Sequence, residues 1–452
     1  MPQEDGEGLI TVRTTSRRPY LRGLAVTATV LAAAALPVGP VAANTATVAA
    51  APAAAAAVVP VAASEVRNYA WFNTKAESGD MHKGLGAHVA RLINATPSGA
   101  TLSLTLYFFN RREVLDALKG AAARGVKVRI VINGSQVWDG DAYYKALKAT
   151  SGITVVECGT RRPDGQSTRG CMTDRTDAKT LKNPPLLHDK FMTISSVRLA
   201  GGTTARNVLY VSSANLDHYA AYENAITISH AGLYADYLRY FNGLMAHGRS
   251  GASDDNAGRT YVAGEHRLYT FPRREGAGSK PTSGSNDPIV SILKGLSCSG
   301  STKVDLANFR IQRRAVVNEL IAARKRGCQV RVVTGAKSGA RHDEGTPMAA
   351  LVTLATAMPV HLCGYTPAGG IPLHEKFLII RQGSRSTLYV GSHNLTYRAL
   401  RQNDENILAL RNHPLATPFQ QRFELHYSTC LQWHPPAGVA GTVSDTDQEA
   451  TA

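Results

Sequence analysis

The chain has 452 residues, of which 44% are hydrophobic and 19% charged. That length allows about two to four ordinary domains or one large duplicated unit, and the apolar share excludes wholesale disorder. Fifty Lys and Arg against 34 Asp and Glu give +16 with His neutral, a surplus that favours phosphate-bearing substrates, nucleic acid or an acidic membrane surface.

The first segment reads as an address. Ser16-Arg17-Arg18-Pro19-Tyr20-Leu21-Arg22 is basic and precedes an apolar run over residues 23–36. A run of about 14 residues is too short to cross a bilayer, which needs about 20. With small residues around Val41-Ala42-Ala43, residues 1–43 read as an export signal peptide, and the SRRxYLR string resembles the twin-arginine type. Residues 44–64, nearly all Ala, Val, Pro and Thr, read as a disordered spacer. Only four arginines and three acids fall before residue 65, so the positive charge belongs to residues 65–452. The expected destination is secreted, extracellular.

Residues 65–246 form the first of two similar halves. Arg67-Asn68-Tyr69-Ala70-Trp71-Phe72 reads as a strand before a helix that carries His82 and His88, both expected at the surface; Trp71 and Trp138 are expected to pack rather than stack on a ligand. Residues 108–133 then run strand end, amphipathic helix, Gly125, β-branched strand, with Val114, Leu115, Leu118 and Ala122 on one helical face. Cys158 and Cys171 bracket a short polar loop; in an exported chain with six cysteines and no CxxC pair they are the candidate disulfide. The other four (298, 328, 363, 430) leave three connectivities open.

Three strings follow: Leu187-His188-Asp189-Lys190-Phe191, then Ser212-Ser213-Ala214-Asn215, then Glu223-Asn224. A Gly-, Ser- and Asp-rich linker is expected over residues 247–265. The second half, 266–435, repeats the plan. Residues 310–335 align with 108–133 at an offset of 202, with Val316, Val317, Leu320 and Ala323 on the helical face and Gly327 after it. His374-Glu375-Lys376, Ser392-His393-Asn394 and Glu405-Asn406 then return in the same order, and residues 436–452 read as a disordered tail. Strand–helix–strand succession implies parallel neighbours, hence an α/β fold.

On a strand, residues i and i+2 share a face, so each His is co-directed with its Lys, and each Ser with its Asn. The imidazole can attack phosphorus or pass a proton; ammonium, hydroxyl and amide suit phosphate oxygens. Glu223 and Glu405 can orient an imidazole through its other nitrogen. A single HxK is a weak signal, since most are a surface His beside a solvated Lys. Two copies in a duplicated unit, each followed by SxN and EN, are specific. No carboxylate cluster suited to a catalytic Mg²⁺ is evident; no cofactor and no metal are expected.

These paired motifs resemble those of the phospholipase D superfamily over nearly all of residues 65–430. The resemblance implies a duplicated α/β/α sandwich with mixed, largely parallel sheets, a pseudo-dimer with the active site between its halves. It implies catalytic roles for His188, Lys190, Asn215, His374, Lys376 and Asn394, with His188 as nucleophile and His374 as general acid. Ser213 and Ser392 are then phosphate-binding, Glu223 and Glu405 His-orienting. There are two departures. The family's HxKxxxxD pattern has Ser195 and Arg381 where its Asp stands, and Asn215 to Glu223 spans 8 positions against 11 from Asn394 to Glu405. The reading is a secreted, monomeric phosphodiesterase that meets phospholipid at a membrane surface. A metal-independent nuclease and a non-catalytic phosphate-binding descendant remain as alternatives.

Overall fold

The computed structural model describes residues 57–74, 79–176, 183–253, 257–298, 301–335, 348–364 and 370–435. The export signal, most of the 44–64 spacer and the 436–452 tail lie outside them. The first half contains α1 (Ser64–Arg67), β1 (Asn68–Phe72), α2 (Lys83–Asn94), β2 (Thr101–Leu106), α3 (Arg112–Ala123) and β3 (Lys127–Asn133). It continues through α4 (Ala142–Ala149), β4 (Ile153–Cys158), β5 (Phe191–Arg198), β6 (Thr204–Ser212), β7 (Asn224–Ser229) and α5 (Ala231–Ser250). The strands make a seven-stranded sheet ordered β1-β7-β6-β5-β2-β3-β4.

The second half begins with β8 (Thr260–Ala263), β9 (His266–Thr270), α6 (Pro288–Lys294), β10 (Lys303–Asn308), α7 (Arg314–Lys325) and β11 (Gln329–Gly335). Then come α8 (Met348–Ala357), β12 (Val360–Cys363), β13 (Lys376–Gln382), β14 (Arg385–Gly391), α9 (Tyr397–Arg401), β15 (Asn406–Arg411), α10 (Ala416–Thr429) and β16 (Leu431–Trp433). Its sheet runs β16-β12-β11-β10-β13-β14-β15-β9-β8. Taken from β9 to β12, it repeats the first sheet strand for strand. The register repeats too: Leu102 pairs with Val128 and Val304 with Val330.

The local reasons are those of the repeat. Val114, Leu115 and Leu118 are buried on α3, and Val316, Val317, Leu320 and Ala323 on α7. Gly125 (φ 85°) and Gly327 (φ 100°) adopt the left-handed conformation that stops each helix. The α/β class and the mixed sheets hold, but the sheets are not largely parallel. Among the named strands, parallel pairing is confined to β2-β3-β4 and β10-β11-β12; the other neighbours are antiparallel. Parallel neighbours need a crossover helix, whereas β5 turns into β6 and β13 into β14 through short loops that permit only antiparallel pairing.

Three cores result. Two lie beneath the outer helices, α2 and α3 on one sheet and α6, α7 and α8 on the other. The third is shared: inner-face residues such as Val211, Ile226, Phe377 and Leu408 pack with Tyr237 and Phe241 of α5 and Phe419 and Phe423 of α10. Fully burying each large apolar side chain is worth roughly 1.5–3 kcal/mol, so this layer holds the halves in one relative position.

Several boundaries and burials differ from expectation. Within the segment read as spacer, Val61 is buried; its N–H donates to Arg198 O (3.0 Å) and its carbonyl accepts from Ala200 N (2.8 Å). Backbone groups at the end of β5 need partners, and this apolar stretch supplies them. The 247–265 linker is shorter than expected, because α5 runs to Ser250 and β8 is already an edge strand of the second sheet. His82 and His88 are buried, not superficial: His88 stacks on Tyr69 with centroids 4.4 Å apart, and its Nε2 lies 2.9 Å from Thr227 Oγ1. A helix pattern cannot reveal that α1 and β1 cover that face. Trp71 is buried, but Trp138 is 46% exposed beneath the Arg161 guanidinium.

Cys158 bonds Cys171, Cys298 bonds Cys328, and Cys363 bonds Cys430. The last closes a loop of sequence separation 67, tying β12 to the end of α10. Chain-entropy reasoning gives about 4 kcal/mol for a loop of that length. A Cys363→Ala/Cys430→Ala variant is therefore expected to show a markedly lower urea midpoint with an intact first half. An unchanged midpoint would refute this.

Candidate active site

Each HxK string enters its strand from an extended segment, and that segment pairs across the halves. Leu187 bridges Asp404 and Leu373 bridges Tyr222, both in parallel. His188 N donates to Asp404 O and His374 N to Tyr222 O, each at 2.9 Å. This exchange sets the carboxylate of one half behind the histidine of the other. Glu405 Oε1 lies 2.9 Å from His188 Nδ1, close though off the ideal hydrogen-bond line, and Glu223 Oε1 contacts His374 Nδ1. Both histidines open into one cavity of about 330 Å³ between the halves, shared with Asn215 and Asn394.

Lys190 and Lys376 are buried beside their histidines. Lys190 Nζ donates to His188 O (2.7 Å) and stands 5.0 Å from the Tyr107 ring centroid; Lys376 Nζ donates to His374 O (2.6 Å) and stands 5.4 Å from that of Phe309. The side-chain oxygens of Asn215 and Asn394 have no protein partner among the described residues.

The serines depart from expectation. Ser213 Oγ donates to Glu223 Oε2 and Ser392 Oγ to Glu405 Oε2 (2.7 Å), and both are fully buried. Their hydroxyls are committed to the carboxylates rather than offered to a phosphate. The i, i+2 rule placed Ser and Asn on one side but could not show that a carboxylate from the adjoining β-segment intervenes. Ser195 and Arg381 do not line the cavity: Ser195 Oγ accepts from Thr101 N, and Arg381 pairs with Asp305 (3.1 Å).

Electrostatics separates the two pairs. Burial, with Lys190 and Lys376, holds His188 well below the usual imidazole range, and burial takes His374 down to about 4 against the pull of Glu223. Burial raises Glu405 to about 8; in Glu223 the same burial is outweighed by His374 and Lys376, which hold it below the usual carboxylate value. Burial brings Lys190 down to about 8 and Lys376 to about 7.

Some residues escaped the sequence reading. The middle residues of the two motifs face away from the cavity: Asp189 accepts from Tyr240 Oη (2.6 Å) and Asn406 Nδ2 (2.7 Å), and Glu375 from Arg422 (2.6 Å), with His426 Nε2 at 3.0 Å. They fasten the motif strands to α5 and α10. That both are acidic was the available signal. Tyr107, Asp217, Tyr219, Phe309, Arg310 and Arg398 also line the cavity, and nothing local in the sequence distinguished them. Among the described residues, one cluster has metal-ligating types, Cys363, His426 and Cys430, and its sulfurs are joined in a disulfide.

The family model described as cardiolipin synthase, PLD-like domain, matches residues 89–245 and 296–427, more than half of the chain. No curated protein matches in sequence. Among solved structures, phosphatidylserine synthase from Haemophilus influenzae Rd KW20 is similar at 12% identity and TM-score 0.51, covering 82% of this chain and 88% of that one. Polyphosphate kinase from Porphyromonas gingivalis is similar at 14% identity and TM-score 0.50, over 80% of this chain; the present chain spans only 50% of that kinase. Nuc from Salmonella typhimurium, a phospholipase D family member, is 21% identical over 38% of this chain and 99% of its own length, at TM-score 0.29. At these identities the likenesses to the synthase and the kinase establish the fold alone.

Proposed function

The chain belongs to the PLD-like family, within the phospholipase D superfamily of phosphodiester-acting enzymes, and from that premise we propose that it hydrolyses the headgroup phosphodiester of phospholipids outside the cell. The observation that supports this most is the convergence of both motif histidines on one cavity, each backed by a carboxylate of the other half, with the motif lysines buried beside them. His188, with Nδ1 toward Glu405, attacks phosphorus through Nε2. The bond from phosphorus to the headgroup oxygen breaks as His374 donates its proton to that oxygen. Water then loses a proton to His374, its oxygen attacks phosphorus, and the phosphorus–nitrogen bond of the phosphohistidine breaks. Lys190, Lys376, Asn215 and Asn394 stabilise the equatorial charge in both steps.

Three disulfides suit an oxidising compartment, and among the described residues no helix is long and apolar enough to cross a membrane. The net charge of +16 also suits transient contact with an anionic bilayer, and it is the observation that favours the second reading, a nuclease. Supported vesicles of single phospholipids and plasmid DNA, each incubated with the protein in excess EDTA, separate the two. Headgroup release that vanishes in His188→Ala is the expected result. DNA cleavage with untouched lipid would replace the lipid reading by the nuclease.

The lysines set an expected pH dependence. In the free protein His374, near 4, is largely neutral at pH 7, so its proton-donating form already falls about tenfold per pH unit, and loss of charge on Lys376 near 7 and Lys190 near 8 should steepen the fall of kcat/KM across pH 7–9. Lys376→Arg, which cannot deprotonate in that range, should lessen that steepening. A profile flat to pH 9 in the wild type would contradict this.

A further inference from the structure

A second cavity lies along α10. Its volume is about 870 Å³, and Tyr222, Cys363, His426, Thr429, Cys430 and Gln432 are among its lining residues. It shares no lining residue with the cavity of the two motif histidines. The disulfide between Cys363 and Cys430 sits in its wall, beside the imidazole of His426.

Local structure explains why these three side chains meet. His426 and Cys430 are four positions apart, about one helical turn, so the end of α10 presents both on one face. Cys363 ends β12, and β12 pairs with β16, the strand that follows Cys430 directly. The two sulfurs and one ring nitrogen of His426 all lie within 4.8 Å of one another. Ligand atoms on tetrahedral zinc stand roughly 3.5–3.8 Å apart, given zinc–sulfur bonds of about 2.3 Å and zinc–nitrogen bonds of about 2.0 Å. Breaking the sulfur–sulfur bond lets the sulfurs part to that separation with His426 already in reach.

His426 is also prepared on its other side. Its Nε2 lies 3.0 Å from Glu375 Oε2, which leaves Nδ1 as the nitrogen for a metal. Glu375 is held in turn by Arg422, whose Nε donates to Oε1 (2.6 Å), and all three side chains are buried. A carboxylate behind the imidazole fixes its tautomer and orientation and raises its basicity, the arrangement found behind zinc-bound histidines. Two thiolates and an imidazole suit zinc rather than magnesium or calcium, and the cavity leaves room for water in the fourth position.

We propose that Cys363, Cys430 and His426 form a zinc site that the disulfide conceals, occupied when the two sulfurs are thiols. A chain that folds before export, as the twin-arginine resemblance implies, passes through a compartment that keeps thiols reduced. In the oxidised protein a phosphine opens the site: it takes the oxygen of one water, becomes phosphine oxide and leaves two thiols. Zinc then displaces both thiol protons.

The test titrates the full chain, oxidised or phosphine-reduced, with cobalt(II), a spectroscopic stand-in for zinc. Reduced wild type should develop the visible bands of tetrahedral cobalt and a thiolate charge-transfer band, complete at one equivalent, and zinc should bleach both. The oxidised protein should develop neither. Reduced His426→Gln should bind cobalt more weakly by about tenfold or more, since loss of a group behind a ligand already costs that much. Cys363→Ser/Cys430→Ser should lose the charge-transfer band although the other four cysteines remain. A band that persists in this variant overturns the site, as does a reduced wild type that takes up no cobalt. Stability supplies an independent readout should reduction loosen the fold. One equivalent of zinc should raise the urea midpoint of reduced wild type and leave that of reduced His426→Gln unchanged. An equal rise in both, or a rise in neither, overturns the proposal.

Discussion

His188→Ala and His374→Ala are each expected to lower headgroup release by about 10⁴-fold while leaving the far-UV spectrum and urea midpoint close to wild type. The magnitude comes from what each ring supplies. Without His188 the proposed nucleophile is gone; without His374 an alkoxide must leave unprotonated. Stability should change little, because each ring opens into the cavity and its removal leaves the shared core untouched. The roles differ, and a substrate with an activated leaving group tells them apart. A p-nitrophenyl diester needs no general acid, so His374→Ala should still release one equivalent of nitrophenol in a burst and stall as a phosphohistidine on residue 188. His188→Ala should give no burst. The opposite pattern would make His374 the nucleophile, and a burst in neither would exclude the covalent route.

Replacing the carboxylates should produce the second-largest effects, and unequally. Glu223 is held ionised by His374 and Lys376, whereas Glu405, near 8, is largely protonated at neutral pH. An ionised Glu223 favours the imidazolium form of His374, the form that donates a proton. A neutral Glu405 leaves His188 unprotonated, with a lone pair for phosphorus. Glu223→Gln should therefore cost on the order of 10²-fold in kcat for headgroup release, and Glu405→Gln distinctly less. The loss in Glu223→Gln should also shrink on the p-nitrophenyl diester, as it should for His374→Ala. That shared behaviour is the signature of crossed pairing, since Glu223 lies in the half that carries His188. If Glu223→Gln were equally damaging with both leaving groups, Glu223 would not be acting through His374.

Much of this architecture is written locally. The repeat of residues 108–133 at 310–335 needs only a helical face, a glycine stop and a β-branched strand, each a property of neighbours in the chain. The same is true of HxK, because side chains two apart on a strand share a face. These features determined the duplicated α/β fold, the existence of two histidine–lysine pairs and their likeness to one family. The serines mark the limit of that logic. Alternation put Ser213 beside Asn215, but only the folded sheet shows Glu223 set against the serine hydroxyl. The proportion of parallel strands was also out of reach, because connection length suggests handedness and neighbours without fixing every pair.

The sequence by itself determined which side chains are candidates for the chemistry; the tertiary structure alone decided which of them meet. Glu223 stands 10 positions from Ser213 and 151 from His374, and it touches both. The second contact exists because Leu187 pairs with Asp404 and Tyr222 with Leu373, bridges between segments with no sequence feature in common. The same holds for Arg398, which sits in a turn three positions longer than its counterpart and is carried into the cavity by the folding of α9. Local periodicity governs the direction of a side chain from its own strand. What meets it there depends on packing two halves across a shared core, and no single stretch of the chain encodes that.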